Sequence, residues 1–340
     1  MQYVAWIDIL GTRRLIFDGD RNDATRLLTD LESTVKNVLG DSGDLFKVVG
    51  VNDGFYLIAE DLNRLCNASI AIFQRWFDSR ANSLDNRPLL RGAIALLDEF
   101  RPAATQKPII YWAFAPGLGV TYETEGYLAG SRLFAHPTLH DRNFPQGLVF
   151  SWKELSQSDL RVEANRQLLE LFWPIGGNQA FLEVFQRLQL AKNLYDSALK
   201  KWENPLREYL AGKREDTHES AKKIYMQYEE TLKLCIRSAG KFAAGNSWSE
   251  SEKNELFKYI KTFANYRPDY IAYTWGLCFA GLWACWAAKL NQQEIFDTAH
   301  NFLNQGDGQW LGEFKKELCG KSTYNEFWEW LSAQDSRFAC

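Results

Sequence analysis

Two aspartates near the start of the chain stand in contexts where a carboxylate can do chemistry. Asp8 lies in the stretch of residues 3–12 (YVAWIDILGT), which begins as a short apolar, β-prone strand. The strand delivers Asp8 and then opens into a tight turn at Gly11. An ionised carboxylate at the end of a buried strand needs a partner such as a metal ion, a cationic side chain or a helix N-terminus. Asp53 lies in Asn-Asp-Gly, a sequence typical of a tight turn between two strands. An aspartate in such a turn is also a common turn former with no further role.

The elements around these aspartates have the order βαββαβ. Apolar patterning and turn signals predict strands at residues 3–9, 45–51, 55–59 and 89–97, and helices at about 22–39 and 61–80. This order is that of the ferredoxin-like split βαβ arrangement, an α+β fold. In that fold the first strand and the hairpin lie side by side, so we expect Asp8 and Asp53 to be close together. Two adjacent carboxylates repel unless a divalent cation lies between them, which predicts a nucleotide-metal site.

Three segments at these positions resemble the conserved motifs of class III nucleotide cyclases. WIDILGT resembles the first metal motif, VNDGFYL the second, and LLRGAIAL the strand that follows. A later segment, APGLGVTYETEGYLAGSRLFAHP, resembles a pattern of a bacterial subset that includes the pyrimidine cyclases of the Pycsar antiphage system. The matching positions there are Ala115, Pro116, Thr121, Tyr122, Glu125, Ser131, Arg132 and Leu133.

The resemblance implies a specific site and reaction. Two Mg²⁺ or Mn²⁺ ions are held by Asp8 and Asp53, with Ile9 as a further metal ligand. The backbone N–H groups of the turn after the first strand bind the phosphates of a nucleoside triphosphate (Ile9, Leu10, Gly11 and Thr12). The ribose 3′-oxygen attacks the α-phosphate, pyrophosphate leaves and a 3′,5′-cyclic nucleotide forms. Family members are homodimers with shared sites, and a separate effector responds to the product.

The chain departs from the purine cyclases of this family at two points. The base-reading Lys or Glu, four residues before the second metal aspartate, is replaced by Val49. The usual Asn and Arg of the later helix align with Gly119 and Glu123, or alternatively with Leu128 and Arg132. The resemblance therefore favours UTP or CTP as substrate and leaves the charge-stabilising residue open. The candidates are Arg91, Arg13 and Arg14. Arg91 is alternatively a member of a structural ion pair, and Arg13 and Arg14 are alternatively solvated charges in a loop.

The second half of the chain reads as helices without a catalytic motif. We divide the chain into a cyclase-like catalytic domain at 1–155 and a helical accessory or regulatory domain at 156–340. Residues 215–240 are rich in Glu and Lys and predict a largely solvent-facing helix. Residues 270–288 carry no charge, which predicts either a buried central helix or a membrane span, with the buried helix favoured.

Bulk properties limit the classes of function. A formal charge of −4 argues against a nucleic-acid-binding protein, which needs a basic surface. The six cysteines include no CxxC pair and no signal peptide opens the chain, so we expect reduced thiols and a cytoplasmic location. The alternatives to a pyrimidine cyclase are an adenylate or guanylate cyclase, a catalytically silent nucleotide-binding or scaffold protein, and a membrane-anchored protein.

Overall fold

The computed structural model describes most of the chain as two compact units. It describes residues 1–10, 21–79, 88–97, 121, 130–136, 139, 142–144, 149–150, 169–174, 181–210, 216–245, 248–264, 271–304 and 325–339. The first unit contains residues 1–152 and 161–178, and the second contains residues 153–160 and 179–340.

The first unit is an α+β structure built on one mixed sheet. Its elements are β1 Gln2–Ile9, α1 Arg21–Leu39, a 3₁₀ helix Gly40–Leu45, β2 Lys47–Val51, β3 Gly54–Ala59, α2 Leu62–Asp78, β4 Leu90–Leu97, β5 Leu133–Ala135, β6 Val149–Phe150 and β7 Leu169–Leu171. The sheet order is β2-β3-β1-β4-β5-β7-β6. Strands β2, β3, β1 and β4 pair with one another antiparallel, β5 runs parallel to β4, and the β5–β7 and β7–β6 pairs are antiparallel. The predicted ferredoxin-like βαββαβ order is therefore confirmed.

Strand β1 is the central strand of this arrangement and is buried over almost its whole length. From Val4 to Ile7 no residue is more than 3% exposed, because both faces of the strand are covered. On one face Val4 packs with Ile58 and Leu97. Continuous apolar sequence, rather than alternation, is what a strand buried on both faces requires.

Helix α2 begins where the sequence provides a cap. The carboxylate of Asp61 accepts a hydrogen bond from the Arg64 N–H at 2.7 Å, which satisfies one of the open donors at the helix start. The apolar face of the helix is buried, and the side chains of Phe73 and Phe77 contact the Trp173 ring at centroid distances of 5.8 and 5.0 Å. Trp173 follows β7, so aromatic packing fixes the end of that strand against α2.

Strand β7 is an element of the first unit that sequence patterning did not predict. Its three residues, Leu-Glu-Leu, are too short to give a period, and the central Glu170 is fully buried. Glu170 pairs with Arg132, which is itself 2% exposed, at 3.0 Å. Because β7 pairs with β5 and β6, the first unit continues beyond our predicted boundary at residue 155.

The second unit is helical in every part that the structure describes. Its helices are α3 Phe181–Leu210, α4 Asp216–Gly245, α5 Glu250–Ala264, α6 Ile271–Ala287, α7 Gln292–Asn304 and α8 Asn325–Gln334, followed by a 3₁₀ helix Ser336–Phe338. The prediction that residues 215–240 face solvent is wrong for the second part of α4. Every residue from Leu234 to Gly240 is buried, because α4 packs against both α3 and α6.

Helix α6 is the uncharged segment noted in the sequence. From Leu277 to Cys285 its residues are buried within the helical unit. Glycines permit close packing here, since a Cβ on Gly281 would lie 2.8 Å from the Ile260 side chain. Among the helices of the described part of the chain, none combines the length and apolarity needed to cross a bilayer.

Close packing around β1 gives a first prediction. A Cβ on Gly92 would lie 2.5 Å from the backbone oxygen of Trp6, so Gly92→Ala should force strands apart and destabilise the protein by about 1–3 kcal/mol. The matched control is Gly50→Ala on β2, where no atom lies within 4 Å of the added carbon. It should stay within about 0.5 kcal/mol of wild type. Urea unfolding midpoints measure both, and equal midpoints for the two variants would contradict the described packing.

Candidate functional site

The antiparallel register brings the site residues to one end of the sheet. Asp8 lies opposite Gly54 on β3 and opposite Arg91 on β4. Asp53 directly precedes Gly54 in the β2–β3 turn, where Asn52 takes a positive φ of 53°. The end of β1 and the starts of β3 and β4 therefore place both aspartates and Arg91 together, as expected for Asp8 and Asp53.

Asp8 and Arg91 form a half-buried ion pair. Nη2 and Nε of Arg91 donate to the same carboxylate oxygen, Oδ2, at 3.0 and 3.2 Å. The Asp8 side chain is 8% exposed and that of Arg91 is 31% exposed. Sequence reasoning offered Arg91 either as a catalytic group or as a structural ion-pair partner. The structure places the guanidinium on Asp8, the predicted metal ligand, because residues 8 and 91 pair directly across the two strands.

Burial dominates the electrostatics of Asp8. The pKa of Asp8 is raised from 3.8 to about 6, mainly because burial removes the carboxylate from water; the Arg91 guanidinium partly opposes the rise and the negative charge of Asp53 contributes to it. The contribution of Asp53 to that pKa places its carboxylate within electrostatic reach of Asp8. A cation shared between them would relieve both the burial of one charge and the repulsion between two.

The second carboxylate oxygen of Asp8, Oδ1, indicates whether a divalent cation fits at this position. Oδ1 is buried and has no hydrogen-bond partner among the residues that the structure describes. A carboxylate oxygen is the ligand that Mg²⁺ and Mn²⁺ prefer, and Mg²⁺ is commonly held by one or two carboxylates together with substrate phosphates. Two carboxylates with one open buried oxygen fit that pattern. The described part of the chain contains no group of three or more His, Cys, Asp or Glu residues suited to a metal.

The predicted phosphate-binding amides are only partly available. The N–H of Leu10 donates to the carbonyl oxygen of Leu89 at 2.7 Å, so it is engaged within the sheet and does not point at a ligand. The prediction for Leu10 therefore needs correction, because β1 and β4 stay paired one residue beyond the strand. The backbone N–H of Ile9 acts on the Asp8 carboxylate and lowers the pKa of that group. Gly11 and Thr12 lie outside the described residues.

Arg132, which one alignment sets at the family's Arg position, lies in the interior of the first unit. Its Nη1 donates to both carboxylate oxygens of Glu170, at 3.0 and 3.1 Å. A guanidinium that is 2% exposed and paired in this way is structural. No pattern in the sequence around Glu170 indicated this partner. Arg13, Arg14, Gly119, Glu123 and Leu128 lie outside the described residues.

A cavity of about 640 Å³ lies beside Asp53, between α1 and the β2–β3 hairpin. Its walls are mainly apolar, with Leu31, Val35 and Phe55 among them, and Asp53 and the exposed Glu32–Lys36 pair are part of its lining. Apolar walls do not suit a triphosphate, which needs cationic or N–H donors. We therefore assign the candidate metal site to the Asp8 side of the hairpin and not to this cavity.

Comparison with known proteins yields only remote likenesses. No protein-family model matches the chain, and no curated protein matches it. Among solved structures, the guanylyl cyclase Cya2 is 10% identical with a TM-score of 0.36, over 50% of this chain and 90% of that one. A bacterial light-regulated adenylyl cyclase is 10% identical with a TM-score of 0.37, over 57% of this chain and 56% of that one. Structural similarity at this level does not assign a function, so the assignment depends on the residues of the site itself.

The Asp8–Arg91 pair gives a second prediction. In metal-free protein, Arg91→Met should destabilise the fold by about 1–3 kcal/mol, because it leaves the mostly buried Asp8 carboxylate without its cation. Adding Asp8→Asn should remove much of that cost. The control is Arg26→Met, which breaks an exposed pair with Asp23 and should change stability by less than about 0.5 kcal/mol. A double-mutant cycle from denaturant unfolding measures the coupling, and a coupling near zero would contradict the ion pair.

Proposed function

We propose that this protein is a metal-dependent nucleotide cyclase. The observation that carries the proposal is the buried Asp8 carboxylate, which has one oxygen on Arg91 and the other without a described partner. Asp53 acts on the same carboxylate from the neighbouring hairpin turn. The motif resemblance places these two aspartates at the metal positions of class III nucleotide cyclases. The observed ferredoxin-like strand order places them at the same end of the sheet, as that assignment requires.

The proposed reaction joins the ribose 3′-oxygen to the α-phosphorus, releases the 3′-hydroxyl proton to solvent, and breaks the bond from that phosphorus to the bridging oxygen, which leaves with pyrophosphate. Bound divalent cations would supply charge stabilisation at the attacking and leaving oxygens. Asp8, through Oδ1, and Asp53 would hold them, with Ile9 as a further ligand. Arg91 holds Oδ2 and so fixes the orientation of the Asp8 carboxylate. Because such transfers depend mainly on positioning and electrostatics, rigid placement of these groups by three paired strands is the contribution of the fold.

The substrate we propose is UTP or CTP. The position from which purine cyclases read the base carries Val49, which lies on β2 with 38% of its surface exposed. Val49 has no polar side-chain atom for a base edge, which removes the usual purine contact. The product, cyclic UMP or cyclic CMP, would then act as a second messenger on a separate effector in antiphage defence. The basis of that role is the sequence resemblance alone.

A shared site between two copies of the chain belongs to the same proposal. Strand β2 is the first strand in the sheet order, and all five of its residues are exposed in the single chain. An exposed edge strand carrying Val48, Val49 and Val51 is a surface that soluble proteins usually cover. A homodimer would cover it and would complete the site with groups from the partner.

A second candidate function is a catalytically silent nucleotide-binding or scaffold protein. The observation that favours it is the same ion pair, because Arg91 already supplies a positive charge to Asp8. If that charge is sufficient, the carboxylate needs no metal and the site is structural. The two functions differ in whether the pure protein turns over a nucleoside triphosphate.

Product analysis with the four nucleoside triphosphates gives a third prediction. Pure protein incubated with ATP, GTP, CTP or UTP and Mn²⁺ should form a cyclic pyrimidine nucleotide and pyrophosphate, detected by mass spectrometry. Asp8→Ala and Asp53→Ala should each lower turnover at least about a hundredfold, which corresponds to about 2.7 kcal/mol of transition-state stabilisation. Removal of divalent cations with EDTA should do the same.

The matched control is Asp41→Ala, which removes an exposed carboxylate from the 3₁₀ helix after α1 and should leave turnover unchanged. Circular dichroism of each variant separates lost activity from lost folding. A cyclic purine as the sole product would overturn the choice of substrate. Absence of any cyclic product would favour the silent binding protein.

A further inference from the structure

Helix α4 of the helical unit is surrounded by protein over nearly two turns. The seven consecutive residues from Leu234 to Gly240 are all buried. With 3.6 residues per turn, such a run covers every side of the helix, so no side of this segment faces solvent. At Gly240 the contact is especially close, since a Cβ there would lie 2.5 Å from the backbone of Ala284 on α6. Side chains in this segment therefore project into the interior.

Arg237 lies at the middle of this buried segment and is 4% exposed. Its Nε and Nη2 atoms are buried and make no hydrogen bond with any residue that the structure describes. A guanidinium stays protonated in proteins, so burial does not neutralise it as it can neutralise a lysine or a carboxylate. A buried charge without a partner is strongly unfavourable, and buried polar atoms in native proteins are almost always satisfied.

The charges around Arg237 do not supply the missing partner. Lys233 and Lys241 lie one turn before and one turn after it on the same helix, so its neighbours at helical spacing are also cations. The buried Glu229 and the nearby Glu230 both pair with Lys233, at 3.1 and 2.7 Å.

The described parts of the helices packed against α4 also supply no partner for Arg237. Helix α6 contains no charged residue. On α3, Tyr195 contacts Tyr225, twelve residues before Arg237, so Asp196 lies far along the helix and pairs with Lys192. The carboxylate at the start of α3, Glu183, is exposed and makes no hydrogen bond with Nε or Nη2 of Arg237.

We propose that Arg237 is the centre of a buried anion-binding site whose ligand is a small oxyanion, either a carboxylate or a phosphate group. Nε and Nη2 lie on one edge of the guanidinium, and this edge matches two oxygens of a carboxylate or phosphate in a bidentate pair. Arg91 uses the same two atoms to hold Asp8 in the first unit. This site is independent of the proposed cyclase chemistry.

Anion-dependent stability of the full chain tests this proposal. The unfolding midpoint is measured in sodium phosphate, sodium acetate and sodium chloride at equal ionic strength. For wild type we expect phosphate or acetate to raise the midpoint by at least about 2 °C over chloride, because a ligand of the folded state stabilises it. Arg237→Met keeps a similar volume without the charge and should lose that rise. The matched control is Lys258→Met, which removes an exposed charge from α5 of the same unit and should keep it.

Each outcome decides a separate point. Protection by phosphate alone assigns a phosphate group, protection by acetate alone assigns a carboxylate, and protection by both assigns small oxyanions in general. Equal responses in wild type and Arg237→Met overturn the proposal, and so does a wild-type protein that responds to neither anion.

A second variant covers the case in which Arg237→Met does not fold. Arg237→Lys keeps the charge and loses the bidentate edge. Phosphate binding by wild type and Arg237→Lys is then compared from ³¹P line broadening, and the lysine variant should bind at least about tenfold more weakly. Equal binding by the two proteins overturns the proposal.

Discussion

The central constraint in this structure is the burial of a carboxylate in the middle strand of a sheet. Asp8 is the second-last residue of β1, and paired strands flank it on both sides, so water cannot solvate it fully. Its pKa is raised to about 6, chiefly by burial and in part by the nearby Asp53, with Arg91 opposing the change. The ionised form of Asp8 therefore needs a positive charge nearby. The register of β4 supplies Arg91, and the β2–β3 turn brings a second carboxylate with which a cation can be shared.

Three buried charged groups in the described part of the chain differ in how completely they are paired. The Arg132–Glu170 pair is complete, since both carboxylate oxygens accept from one guanidinium nitrogen in the interior. The Asp8–Arg91 pair is half complete, because Oδ1 has no described partner. At Arg237 one whole edge of the guanidinium is without a described partner. A complete pair holds strands together, whereas an incomplete one costs free energy that a ligand can recover. This difference is why we assign structure to the first and binding to the other two.

The sequence was sufficient to predict the core strands of the first unit, but it was not sufficient to predict which residues pair between distant segments. The Asn-Asp-Gly turn and the apolar run of β1 are local signals, so the proximity of Asp8 and Asp53 followed from element order alone. The placement of Arg91 opposite Asp8 depends on the β1–β4 register, which is set by packing between distant segments. Strand β7 is three residues long and centred on Glu170, so it has no periodic signal.

The helical unit shows the opposite failure. Glu and Lys along α4 predicted a solvent-facing helix, yet its second part is buried on every side. The composition of a helix gives its average polarity but not which of its residues are exposed. Lys233, for example, contributes a charge but pairs with Glu229 and Glu230 inside the unit. The burial of Arg237 follows from how α3 and α6 pack against α4, which charge spacing alone does not reveal.

The measurement that tests the central claim most directly is Mn²⁺ binding followed by electron paramagnetic resonance, without nucleotide and without turnover. If Asp8 and Asp53 share a cation, titration of wild type should deplete the signal of free Mn²⁺. Asp8→Asn and Asp53→Asn should each weaken binding at least about tenfold, or by about 1.4 kcal/mol, while Asp41→Asn should leave it unchanged. Equal Mn²⁺ affinity in wild type and both site variants would contradict the shared site and would leave Arg91 as the sole partner that Asp8 requires.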